Sequence, residues 1–166
     1  MGDYETSLPR VVAGILAGTI TGAAIVTVAM LWPERDLQLL LALQGGATVF
    51  VFASIIWAAG LLLLATLPWA LLHHYRRRGW GSAVALGIVL TFIVWFGVAT
   101  YGFGLSIPGD LRDAGSPGGP TVVDGRLTSQ GWIEAFQKAW VFSVAGALVG
   151  FVVWRVAYRR AKTTPD

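Results

Sequence analysis

The chain has no cysteine, few charged residues and, over four long stretches, no Asp, Glu, Lys, Arg or His at all. Without cysteine there can be no disulfide, thiolate metal site, cysteine-ligated iron–sulfur cluster or cysteine nucleophile. Only 13% of the 166 residues are Asp, Glu, Lys or Arg, about half the share usual in a soluble domain. Histidine is confined to the adjacent pair His73-His74. Successive helix positions point about 100° apart, so one copy cannot clamp a haem iron from both faces. No carboxylate or thiol lies beside the pair to complete a metal site. The charge-free stretches run from Val11 to Trp32, Gly46 to Leu72, Gly81 to Gly104 and Ala139 to Trp154. A proton-coupled or voltage-sensing mechanism would need an Asp, Glu, Lys, Arg or His carrier inside them and finds none. No Ser/His/Asp set converges by spacing, no glycine-rich phosphate loop follows a strand, and no zinc-protease helix motif occurs. The carboxylates Asp110, Asp113, Asp124 and Glu134 lack the spacing of a calcium loop.

What remains is strongly apolar, 55% of the chain. An uncharged apolar run of about 18 residues or more reads as a membrane-spanning helix. The spans are placed at about 11–32, 46–72, 81–104 and 139–158. The last continues past Arg155, whose long stem can reach back to the interface. The first could be mistaken for a signal peptide. Its apolar run exceeds a signal core, however, and Asp3 and Glu5 precede it, so it reads as a retained anchor. The expected fold class is therefore an all-α integral membrane protein. It is a four-transmembrane-helix bundle forming one domain over 1–166, with an outer loop over about 105–138.

Basic residues set the expected orientation. With both ends inside, the inner side holds Arg10, Arg76, Arg77, Arg78, Arg155, Arg159, Arg160 and Lys162. The outer side then holds only Arg35, Arg112, Arg126 and Lys138. Lys and Arg accumulate on the cytoplasmic side, which predicts N-in and C-in. The net charge of +3 is concentrated beside spans, so anionic lipid headgroups are the expected counter-charge, not nucleic acid. Arg76, Arg77, Arg78, Arg155, Arg159 and Arg160 are the candidate headgroup-contacting residues. Trp32, Trp69, Tyr75, Trp80, Trp140 and Trp154 mark span ends, as aromatic belts do. Trp57 and Trp95 fall mid-span and read as packed or lipid-facing rings, with a ligand-lining role as the alternative.

Two segments outside the spans carry local signals. Leu37 to Leu72 is too long for one untilted span. A short interfacial helix before a Gly45-Gly46 hinge is the preferred reading, and a long tilted helix the alternative. Pro68 predicts a bend. In the outer loop, Pro108 to Pro120 reads as irregular, while Asp124-Gly125 between β-prone residues predicts a hairpin. Thr128 or Ser129 then caps a helix carrying Trp132, Phe136 and Trp140 at four-residue intervals into the last span.

Glycine spacing supplies the packing signal. Gly14, Gly18 and Gly22 recur every four residues in the first span. Gly146 and Gly150 do so in the last, with Ser143 on an adjacent stripe. Glycines four apart lie on one helix face and admit a neighbouring backbone closely, as in a glycine zipper. Two arrangements are open. Spans one and four can pack on each other within one bundle, or one such face can dock a second copy or another subunit.

The tail from Gly146 to Ala161, with the short Arg-rich connection into Gly79-Trp80, resembles small four-span inner-membrane proteins of Gram-negative bacteria that have no assigned activity. The resemblance implies a four-span inner-membrane architecture and supplies no catalytic residues and no cofactor. The expected role is non-catalytic: an accessory, assembly or envelope-associated subunit acting through helix packing. Its partners would be the bilayer and either further copies or a larger membrane complex. A small-solute transporter or channel formed by an oligomer is the alternative.

Overall fold

Long apolar runs satisfy their backbone N–H and C=O groups internally, and the α-helix does this within one segment. A computed structural model of the chain describes residues 4–31, 39–75, 79–105 and 113–160. It contains helices α1 (Leu8–Leu31), α2 (Leu39–Ala59), α3 (Thr66–His74), α4 (Trp80–Ala99) and α5 (Ser129–Ala157), with a π-helical segment Gly60–Ala65 joining α2 to α3. Short strands β1 (Tyr4–Glu5), β2 (Ala114–Ser116), β3 (Gly119–Val123), β4 (Arg126–Leu127) and β5 (Arg159–Arg160) complete it. Four helical stretches are long and apolar enough to cross a membrane: Leu8–Leu31, Gln44–Leu72, Trp80–Ala99 and Ser129–Ala157. The chain divides into two compact units, 1–87 with 147–166, and 88–146.

In the first unit, the Ser7 carbonyl accepts the backbone N–H groups of Arg10 and Val11, each at 3.0 Å, and so opens α1. Pro9 is harmless in this first turn, where its missing N–H would have no helical partner. The buried residues of α1 are Gly14, Gly18, Thr19, Gly22 and Ala23, a single stripe at helical spacing. β1 and β5 pair antiparallel, Glu5 opposite Arg159. Beside them the Thr6 hydroxyl donates to the Ala157 carbonyl at 2.7 Å, satisfying an acceptor that the end of α5 would leave open.

The interfacial helix and hinge preferred from the sequence are replaced by a helical run that continues from Leu39 to His74. Gly45 and Gly46 lie inside α2. Gly46 is buried where a Cβ would stand 3.0 Å from Leu31 Cδ1, so that glycine serves a close approach of α1 and not a break. The irregularity falls just ahead of Pro68. Proline offers no N–H to the carbonyl four residues earlier, and a wider π turn lets a later donor reach that level. Thr66 also donates its hydroxyl to the Leu62 carbonyl at 2.5 Å.

In the second unit, α4 ends at Ala99, short of the sequence boundary at Gly104. Tyr101, Gly102, Phe103 and Gly104 all take positive φ, at 52°, 69°, 61° and 83°. This left-handed turn is costly for Tyr and Phe. It is pinned by buried Thr100, whose hydroxyl donates to the Phe96 carbonyl at 2.6 Å and accepts the Phe103 N–H at 3.1 Å. Beyond it lies a three-stranded antiparallel sheet in the order β2-β3-β4. The predicted hairpin is present as β3–β4. Asp124 and Gly125, at φ 50° and 70°, form the left-handed two-residue turn that Asp-Gly favours.

The part of the outer loop read as irregular becomes β2 from Ala114 onward; Pro108 and Asp110 lie outside the described residues. Its Gly- and Pro-rich sequence has little strand propensity, so tertiary contacts hold it. The Thr121 hydroxyl donates to the Ala114 carbonyl at 3.1 Å, and Ser116 donates to Glu134 of α5. Thr128 caps α5, its hydroxyl oxygen accepting the Gly131 N–H at 3.1 Å. The amphipathic entry segment and the last apolar run are thus one helix of 29 residues.

Candidate functional site

A helix without a side chain at one position presents a notch, and what fills the notch identifies the neighbour. On α1, a Cβ at Gly14 would stand 3.0 Å from the Val153 carbonyl oxygen and 3.2 Å from the Ala157 Cβ. At Gly18 it would meet Val153 Cγ2 at 2.5 Å and Val149 Cγ1 at 3.3 Å, with Leu61 Cδ1 at 3.2 Å. Val149, Val153 and Ala157 are four residues apart on α5, so they form the ridge that enters these two notches. The contact is therefore glycine against valine and alanine, not glycine against glycine. Gly22, one turn on, has a different occupant: the indole of Trp57 from α2 lies where its Cβ would be.

Gly150 of α5 faces elsewhere. A Cβ at Gly150 would collide with the Ala83 carbonyl oxygen, with Val84 Cα at 3.4 Å, so this notch receives the backbone of α4. Gly146 is buried. Ser143 is buried too and spends its hydroxyl on the Ala139 carbonyl of its own helix at 2.8 Å. In the first unit α5 thus offers a valine ridge to α1 and a glycine notch to α4.

Hydroxyls along the helices mostly bond one turn back, as Thr21 to Ala17 at 2.8 Å and Ser54 to Phe50 at 2.7 Å. Thr19 departs from this. Its side chain is buried and its Oγ1 has no partner, and Thr27 Oγ1 is likewise unpaired. Trp57 packs into the Gly22 notch, and Trp95 stacks on Phe142 with ring centres 3.8 Å apart and planes 8° off parallel.

In the second unit an aromatic cluster joins α4 to α5. Phe92 meets Phe136 edge-on at 5.4 Å, and Phe96 meets Trp132 at 5.7 Å and Phe103 at 5.9 Å. The sheet is locked to the same helix. Gly131 has no Cβ because the Thr121 carbonyl occupies that space, and Glu134 accepts hydrogen bonds from Ser116 and from Gln130, the latter at 3.1 Å. Edge-on and tilted aromatic pairs and a carboxylate that accepts two hydrogen bonds rigidify this region.

Among the candidate headgroup residues, Arg155 is exposed in the last turn of α5, and Arg159 and Arg160 form β5. Arg76, Arg77 and Arg78 lie outside the described residues, as do Trp32 and the Pro33 to Asp36 turn. His74 packs edge-on against Tyr75 at 5.6 Å. Among the described residues no group of three or more His, Asp or Glu could hold a metal ion. The Trp57–Gly22 contact, the unpaired Thr19 hydroxyl and the pairing of β1 with β5 are among the features without a sequence signal. Only the alternating glycines of Tyr101-Gly102-Phe103-Gly104 offered a signal for the left-handed turn.

Comparison with protein-family models, with curated proteins and with solved structures finds no match.

Proposed function

We propose that the chain is a non-catalytic integral protein of a bacterial inner membrane, with four spans, both ends in the cytoplasm, and an accessory or assembly role exercised through its helix surfaces. The observation that carries this reading is the inverted burial of its most apolar helices. Only 6% of the most apolar window of Gln44–Leu72, and 6% of that of Trp80–Ala99, is buried. Ile55, Ile56, Leu63 and Leu67 are between 60% and 77% exposed. In water such surfaces would aggregate; in hydrocarbon they carry no penalty.

Two further observations support the reading. The pairing of β1 with β5 supports an even number of spans, which would leave these two strands on the same side. The distribution of Lys and Arg favours the cytoplasm for that side. The notches of Gly14, Gly18, Gly22 and Gly150 are filled by the chain's own residues. A partner would accordingly engage the outward faces of the helices and not these glycine stripes.

The test is affinity purification of the tagged chain from native membranes at endogenous level, followed by mass spectrometry and by flux assays on reconstituted protein. A membrane protein co-purifying in fixed ratio, with silent liposomes, is the expected result. Recovery of the chain alone, or solute flux across a liposome panel, overturns the proposal.

A further inference from the structure

Over its first four turns α5 has three distinct sides. One holds the sheet, through Gly131 against Thr121 and through the Glu134 carboxylate bonded to Ser116 and Gln130. A second holds α4, through Trp132, Phe136 and Phe142. The third carries Ile133, Gln137, Trp140, Val141 and Val144, which at about 100° per residue share one face. Ile133 is 52% exposed, Trp140 60% and Val144 61%, and no described residue covers them. A helix standing in water places its polar residues on such a side. Here the charged members of these turns point elsewhere: Glu134 faces the sheet, and Lys138 projects from a different side on a stem long enough to reach headgroups.

The same side continues along the helix through Leu148, 52% exposed, and Phe151, 43% exposed. From Ile133 to Phe151 it measures about 27 Å at 1.5 Å per residue, close to the roughly 30 Å of bilayer hydrocarbon. From Ala139, where the charge-free run begins, the same side would be about 9 Å shorter. Trp132 then falls in the zone where indoles concentrate, and Trp140 lies about 10 Å deeper.

We propose that the third side of α5 is seated in lipid from Ile133 onward, which holds the three-stranded sheet against the phospholipid headgroups as a membrane-surface cap. The occupant is the acyl and glycerol region of the leaflet nearer the sheet, because the free side is a continuation of the apolar stripe of the same helix. The sheet is carried to that depth by its bonds to Gly131 and Glu134. The inference rests on the membrane reading given above.

The experiment uses the absence of cysteine. Single-cysteine variants Ile133→Cys, Gln137→Cys, Val144→Cys and Arg126→Cys of the full chain carry a nitroxide label in phosphatidylethanolamine–phosphatidylglycerol vesicles. Collisions with oxygen and with a water-soluble nickel complex report depth. Labels at 133 and 137 should meet the nickel complex at least about tenfold less often than the label at 126, with the deeper label at 144 shielded further. Gln137 is already exposed, so that variant keeps the test sound if Ile133→Cys folds poorly. If 133 and 137 behave like 126 while 144 is shielded, the cap stands in water and the inference fails alone. If 144 also meets the nickel complex freely, the membrane reading falls and takes the inference with it.

Discussion

Substituting alanine at Gly150 would set two opposed effects against each other, and the structure decides between them. Alanine is the better helix former by about 1 kcal/mol, which favours the variant. Against this, the new Cβ would collide with the Ala83 carbonyl oxygen and stand 3.1 Å from the Ala83 carbonyl carbon. Both are backbone atoms inside α4, so no rotamer change relieves the overlap and the two helices must separate. Overpacking of this kind costs about 1–3 kcal/mol. A gap of 0.5–1 Å along the contact also forfeits about a quarter to a half of each dispersion well. The net expectation is a loss of about 1–2 kcal/mol, read as an earlier midpoint when the protein is titrated with SDS in mixed micelles and followed by circular dichroism. Gly45→Ala is the control. It gains the same propensity, and a Cβ there meets nothing within 4 Å, so it should match or exceed the parent by up to about 1 kcal/mol. A Gly150→Ala protein as stable as Gly45→Ala would refute the close approach of α5 and α4.

Two other substitutions probe the same unit. Gly22→Ala should destabilise the parent yet be tolerated beside Trp57→Leu, because the indole is what fills the notch; a double-mutant cycle showing a coupling below about 0.5 kcal/mol would exclude that contact. Thr19→Val keeps the shape while removing a buried hydroxyl without a partner, so it should be neutral or stabilise by up to about 1 kcal/mol. A clear drop in the SDS midpoint would show that this hydroxyl is bonded after all.

The sequence made the helices legible wherever charge was absent, because an uncharged run of sufficient length leaves the backbone little alternative in hydrocarbon. It also made the β3–β4 turn legible, since Asp124-Gly125 carries the left-handed preference in its own chemistry. It was misleading at Gly45-Gly46, where the same residue type that permits a hinge also permits a close approach. Which of the two applied depended on Leu31, distant in the chain. The strand β2 was invisible for a similar reason. Gly115, Pro117 and Gly118 have no strand preference, and pairing with β3 and the bond from Ser116 to Glu134 impose the conformation.

Composition and periodicity by themselves determined that this chain is helical, that its helices are long and apolar enough to cross a membrane, and that glycines line faces of the first and last. Those properties are local: they follow from side-chain polarity and from 3.6 residues per turn. Only the tertiary structure decided what each glycine faces. Gly14 and Gly18 receive the α5 ridge of Val149, Val153 and Ala157, Gly22 receives an indole, and Gly150 receives the α4 backbone. A missing side chain marks a space without naming its occupant, and the occupant is fixed by packing among helices far apart in sequence.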